Sequence, residues 1–155
     1  VMMGNVQIDI PKRGDIRALG FVSEEAKFAG IQAARLVVLP SHYESLSIAN
    51  LEAWTMGVPV LANGLCQVLR DNCLKSNGGI YYTDADDFAV SLHLLMKDAR
   101  LREYLAQNGR AYVHRNYSWE IIEAKYLTIL GLDAARLITN SSKAGSANPS
   151  PSVVQ

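Results

Sequence analysis

Two glutamates and the helix start between them carry the chemistry this sequence offers. Glu44 lies in the loop Pro40-Ser41-His42-Tyr43-Glu44-Ser45, and Glu52 lies eight residues later in the stretch Leu46 to Met56, which reads as a helix ended by Gly57. The first turn of a helix has backbone N–H groups without partners and about half a positive charge. Here those groups belong to Leu46, Ser47, Ile48 and Ala49, and such a terminus suits a phosphate or pyrophosphate. Glu52 is the only acidic or basic residue between Glu44 and Arg70. A carboxylate on so apolar a helix is costly unless something donates hydrogen bonds to it. Sugar hydroxyls are suitable donors. At about 1.5 Å per residue, Glu52 lies roughly 7–8 Å beyond the phosphate position at Ser47, the reach from a diphosphate to its ribose. Glu44 would repel a phosphate, so its place is beside the transferred sugar or the reacting centre.

Each residue also has a plainer reading. Two glutamates at this spacing occur in many proteins, and a loop glutamate is ordinarily solvated. An internal arginine such as Arg35 or Arg70 could satisfy Glu52. His42, His93 and His114 read as surface or helix-face residues, Tyr81 and Tyr82 as strand packing, and Lys12, Arg13 and Arg17 as a solvated basic loop.

The elements that position these groups follow from pattern and punctuation. Val1-Met2-Met3 reads as the tail of a buried strand with Gly4 as its turn, and residues 5–16 as a loop. Ala18 to Val22 reads as a short buried strand. A helix capped by Ser23 then runs to about Arg35, with Glu24 and Glu25 at its positive end. Strands follow at Leu36–Leu39, Val58–Ala62 and Ile80–Tyr82, with a short helix around Cys66–Leu74. The rest is helical: from Asp84, with Phe88, Leu92, Leu95 and Met96 on one face, then about Arg100–Arg115, then Trp119–Leu132 capped by Ser118. Apolar strands alternating with helices imply an α/β doubly wound domain, a parallel sheet flanked by helices with a helical C-terminus. Ligands in such sheets sit beyond the carboxyl ends of the strands, where the Glu44 loop falls.

Composition narrows the function classes. Fifteen basic residues balance fifteen acidic ones in 155 residues, so no excess positive charge favours nucleic acid. No apolar run approaches the ~20 residues that span a bilayer, and the start does not resemble a signal peptide. Cys66 and Cys73 stand seven apart with no second pair, so they read as reduced thiols rather than a zinc site. From Thr139 the chain is rich in Ser, Asn, Gly, Ala and Pro and reads as a disordered tail, 139–155, behind a domain of residues 1–138.

Taken together, Pro40-Ser41, Glu44-Ser45-Leu46-Ser47-Ile48, Leu51-Glu52-Ala53 and Gly57-Val58-Pro59-Val60 resemble the paired-glutamate region of glycosyltransferase family 4, whose members have the GT-B fold. The flanks resemble it too: Gly20-Phe21-Val22-Ser23 and Ala34 to Ser41 before the motif, then Asn77-Gly78-Gly79, Leu101 to Gly109 and Tyr117-Ser118-Trp119 after it. The resemblance covers about residues 1–132.

It implies a nucleotide-diphospho-sugar donor such as a UDP- or GDP-sugar, retention at the anomeric carbon, and neither a cofactor nor an obligatory metal. Glu44 matches the first, catalytic-position glutamate beside the donor sugar. The backbone of Ser45, Leu46, Ser47 and Ile48 matches the part that contacts sugar and diphosphate, Glu52 matches the ribose ligand, and Val22 lies in the segment flanking the base. Two departures stand out. Many members have glycine at Ser47 and an aromatic at Leu46. The arginine and lysine that members supply to the diphosphate come from a segment before the strand at Val1, as does the acceptor domain. The expectation is therefore the donor-binding half of a hexosyltransferase, inactive alone, whose partners are an N-terminal acceptor domain and a carbohydrate or lipid acceptor. Its expected location is the cytoplasm, with peripheral association at the inner membrane face open. A nucleotide-sugar 2-epimerase-like enzyme and a non-catalytic binding or scaffolding module are the alternatives.

Overall fold

A computed structural model describes residues 1–5 and 9–132. Three strands, β1 (Val37–Leu39), β2 (Val60–Asn63) and β3 (Gly79–Tyr82), form a parallel sheet in that order. Val37 pairs with Val60 and Val60 with Gly79; Leu39 pairs with Ala62 and Ala62 with Tyr81. The helices are α1 (Glu24–Gln32), α2 (Ile48–Thr55), α3 (Gln67–Ser76), α4 (Ala85–Lys97), α5 (Ala99–Tyr117) and α6 (Trp119–Ile129). The chain divides into two units, Val1–His114 and Arg115–Gln155.

β2 is the centre of the first unit, and all four of its residues are buried. Side chains alternate across a strand, so Val60 and Ala62 pack on one face with Ile31, Trp54, Leu69 and Cys73. Leu61 packs on the other with Leu95, Leu105 and Phe88. Coverage on both faces is why the strands read as apolar runs. Trp54 is fully buried, its indole N–H donates to Gly78 O at 2.8 Å, and Tyr112 meets it edge-on at 5.8 Å. Gly78 and Gly109 are required there, because a Cβ on either would overlap the Trp54 ring.

Several expectations need correction. Ala18 to Val22 makes one parallel bridge, Ala18 to Met2, and is not buried; Phe21 is 85% exposed. Val1, Met2 and Met3 have the expected extended pairing but are exposed as well. An apolar run reports what a segment is suited to bury, and among the described residues this one is left largely uncovered. Met96 on α4 is also exposed, whereas Leu95 is fully buried. Ser23 caps α1 as expected, its hydroxyl accepting from Ala26 N at 3.2 Å. Ser118 occupies the N-cap of α6, but its side chain makes no cap hydrogen bond. The tail and the boundary at residue 138 lie outside the described residues.

Candidate functional site

The loop after β1 leads into α2, and α2 starts two residues later than the sequence suggests. Ser47 is its N-cap and Ile48 its first helical residue. Asn50 N and Leu51 N both donate to Ser47 O, at 3.0 and 3.3 Å. The first-turn amides without an acceptor inside the helix are therefore those of Ile48 and Ala49, while those of Leu46 and Ser47 precede it. Ile48 and Ala49 are both exposed, so this helix start is open to a ligand.

Ser47 has φ 61° and ψ 77°. This left-handed region favours glycine, because other side chains crowd the backbone there. That is the physical reason for a glycine preference at this position. The residue is only 4% exposed, so its side chain points into the protein, where its Oγ has no hydrogen-bond partner among the described residues. One turn on, Asn50 is fully buried with both amide atoms likewise unpartnered. Asn72 of α3 reaches the loop, Nδ2 donating to Leu46 O at 3.4 Å.

Glu52 sits on α2 with its side chain about one fifth exposed, and Lys27 Nζ donates to its Oε1 at 2.6 Å. The cation is neither Arg35 nor Arg70 but a lysine from α1. Lys27 also lies 3.5 Å from Glu24 and 4.6 Å from the centre of the Phe28 ring. The hydrogen bond that Lys27 donates to Glu52 holds its ammonium above its ordinary pKa. Glu52 Oε2 makes no hydrogen bond among the described residues. Lys27 was missed because nothing periodic links residues 25 apart. The available signal was chemical, a lone acid that needs a cation and a neighbouring helix that carries one.

The other expected residues lie outside this ion pair. Val22, half-buried, lies directly before Ser23 at the N-cap of α1, the helix whose Lys27 reaches Glu52. Glu44 is half-buried in the loop ahead of α2, and Ser45 and Leu46 are exposed beside it. Glu44 makes no hydrogen bond or ion pair among the described residues. The arrangement thus offers an open helix start, an unengaged carboxylate on one side and a lysine-bound carboxylate deeper along α2. Among the described residues, no three His, Cys, Asp or Glu side chains group as a metal site.

The chain is similar to several known proteins. The chain is 30% identical over 115 residues to an uncharacterized glycosyltransferase of Methanocaldococcus jannaschii, covering 72% of this chain and 29% of that protein. It is 32% identical over 111 residues to the O-antigen chain mannosyltransferase B of Escherichia coli, covering 70% and 28%. The chain thus spans less than a third of the length of either relative. Among solved structures it resembles sucrose-phosphate synthase from Thermosynechococcus elongatus, with a TM-score of 0.65 and 24% identity, covering 80% of this chain and 30% of that one. That likeness shows a shared fold. Residues 11–112 match the family model of glycosyl transferases group 1, and the chain belongs to that family.

Proposed function

We propose that this chain is the donor-binding half of a retaining glycosyltransferase that moves a sugar from a nucleotide-diphospho-sugar to an acceptor hydroxyl. The observation that carries the reading is the exposed start of α2, with the amides of Ile48 and Ala49 flanked by Glu44 and followed one turn later by Glu52. As the bond from the anomeric carbon to the diphosphate opens, negative charge grows on the phosphate oxygens. Fixed N–H groups and a helix dipole stabilise that charge without reorganising. Glu44 meets the donor sugar, the backbone of Ser45 to Ile48 takes the diphosphate, and Val22 flanks the base. Glu52 takes the ribose hydroxyls through Oε2 while Lys27 holds Oε1, or Lys27 gives way to them. No metal enters this scheme.

An acceptor domain N-terminal to this segment in the whole protein would supply the second wall of the cleft, its basic side chains adding to the diphosphate site. Two features support that part: relatives of which the match covers less than a third, and the edge of β1, which pairs with β2 alone among the described residues. Inner-membrane-face association belongs to the same proposal. No helix of the described residues is long and apolar enough to cross a membrane.

The test is titration of the chain with uridine and guanosine diphosphates. Glu52→Gln should weaken binding about ten-fold or more, the scale of a hydrogen bond to a charged group. Lys27→Met should leave binding within a few-fold. Equal affinity in the native chain and Glu52→Gln would reduce the Lys27–Glu52 pair to a structural tie and favour the scaffolding module.

A further inference from the structure

The loop that carries Glu44 has little of its own to hold it. Among the described residues, no backbone N–H or C=O of residues 41–46 bonds to other backbone, and Tyr43 is 94% exposed. Two buried side-chain amides grip the ends of the loop instead. Asn63, the last residue of β2, donates from Nδ2 to Pro40 O at 3.2 Å, and Asn72 of α3 donates from Nδ2 to Leu46 O at 3.4 Å. A carbonyl only accepts, so each contact fixes which end of the amide faces the loop.

Asn72 holds the end that leads into α2. It is 7% exposed, and its helix is set in the core by Leu69 and Cys73, which pack with Trp54 and Val60. The anchor is therefore rigid. Its target is the carbonyl of the residue directly before Ser47, whose left-handed backbone sets where the amides of Ile48 and Ala49 point. A backbone conformation of this kind persists only where its surroundings over-determine it. The other two buried polar side chains here, Ser47 and Asn50, have no partner among the described residues. Asn72 bonds to the backbone entering the helix, and that is the only bond its side chain makes among the described residues. Burying an amide costs free energy unless a hydrogen bond offsets the loss of water, so this contact is what the burial of Asn72 secures.

We infer that Asn72 is a positioning residue of the donor site: by holding Leu46 O it keeps Glu44 and the first amides of α2 in the arrangement that a diphospho-sugar requires. It acts through the backbone of Leu46 rather than on the ligand. The inference rests on the glycosyltransferase reading above.

The experiment compares the isotope-labelled native chain with Asn72→Ala and Asn72→Leu. Both variants lose the donor; alanine also leaves a gap, whereas leucine keeps the branched shape. Asn72 lies inside α3, and both replacements favour a helix over asparagine, so the fold persists. Backbone order parameters of Glu44, Ser45 and Leu46 should fall in both variants from about 0.85, the rigid value, towards about 0.6, with Val60 and Leu61 unchanged. Affinity for uridine or guanosine diphosphate should fall about five-fold, the worth of one hydrogen bond. A loop as ordered in both variants as in the native chain overturns the inference, as does a loosened loop with unchanged affinity. Loosening in Asn72→Ala alone overturns it too, and marks a packing role. The native chain tests the parent reading separately: diphosphates that leave the amides of residues 45–52 unshifted defeat that reading, whatever the variants do to loop order.

Discussion

At residue scale, Ser47 makes a stability prediction that ordinary contact arguments would miss. Its left-handed backbone is the conformation a non-glycine residue adopts at a cost of about 1 kcal/mol, and its buried hydroxyl gains no hydrogen bond among the described residues in return. Ser47→Gly should therefore stabilise the chain by ~0.5–1 kcal/mol, read by urea unfolding, because the relief exceeds the entropy glycine adds to the unfolded state. A loss of stability would mean the hydroxyl has a partner. Cys73 gives the second prediction. Burial pushes its thiol from 9.0 up to about 12. Between those values the unfolded chain has lost a proton that the folded chain keeps, so stability falls as pH rises, by at most about 1.4 kcal/mol per pH unit. Cys73→Ala should flatten unfolding free energy against pH over that window. An unchanged slope would show that the thiol ionises freely in the fold. That Glu52 needs a partner was legible from its apolar helix, whereas the conformation of Ser47 and the identity of that partner, Lys27, were not, since both depend on how the loop and α1 close onto α2.

At the scale of elements, the Trp54 contact between α2 and α5 decides stability more than helix propensity does. Alanine at position 109 would favour α5 by about 1 kcal/mol over glycine in isolation. Its Cβ would overlap the ring of Trp54, which is fully buried and cannot swing away. Gly109→Ala should thus destabilise the chain by roughly 2–3 kcal/mol, the cost of overpacking a filled core. A neutral or stabilising result in thermal or urea unfolding would show that the ring relaxes. The sequence made the elements themselves readable. Continuous apolar runs marked the strands β1, β2 and β3, of which β2 is covered on both faces, and Ser23 and Asp84 marked helix starts that the structure confirms with side-chain caps at 3.2 and 2.8 Å. Ends were less legible. α2 starts at Ile48 rather than Leu46 because Ser47 breaks the helical backbone, and that break decides which amides face a ligand. The run Ala18 to Val22 misled on burial, since a strand pattern records suitability for a sheet and not the presence of a covering layer.

At the scale of the molecule, the proposed function makes the chain one wall of a two-walled site. Its open helix start follows the carboxyl end of β1, the place that the order of strands and helices alone designates. Family membership covers residues 11–112, and the relatives extend well beyond the matched stretch. A wall can bind without excluding water or aligning two substrates, so the chain alone should show no transfer from a UDP- or GDP-sugar to a glycoside acceptor above the rate without protein. Sugar transfer abolished by Glu44→Gln would instead show that the chain is a complete enzyme.

The central claim is that the start of α2 cradles a diphosphate and Glu52 holds the attached ribose. A crystal of the chain soaked with uridine or guanosine diphosphate tests it most directly. The account predicts phosphate oxygens on the N–H groups of Ile48 and Ala49, and a ribose hydroxyl at hydrogen-bond distance from Glu52. A nucleotide bound elsewhere, with Glu52 still held by Lys27 alone, would contradict it.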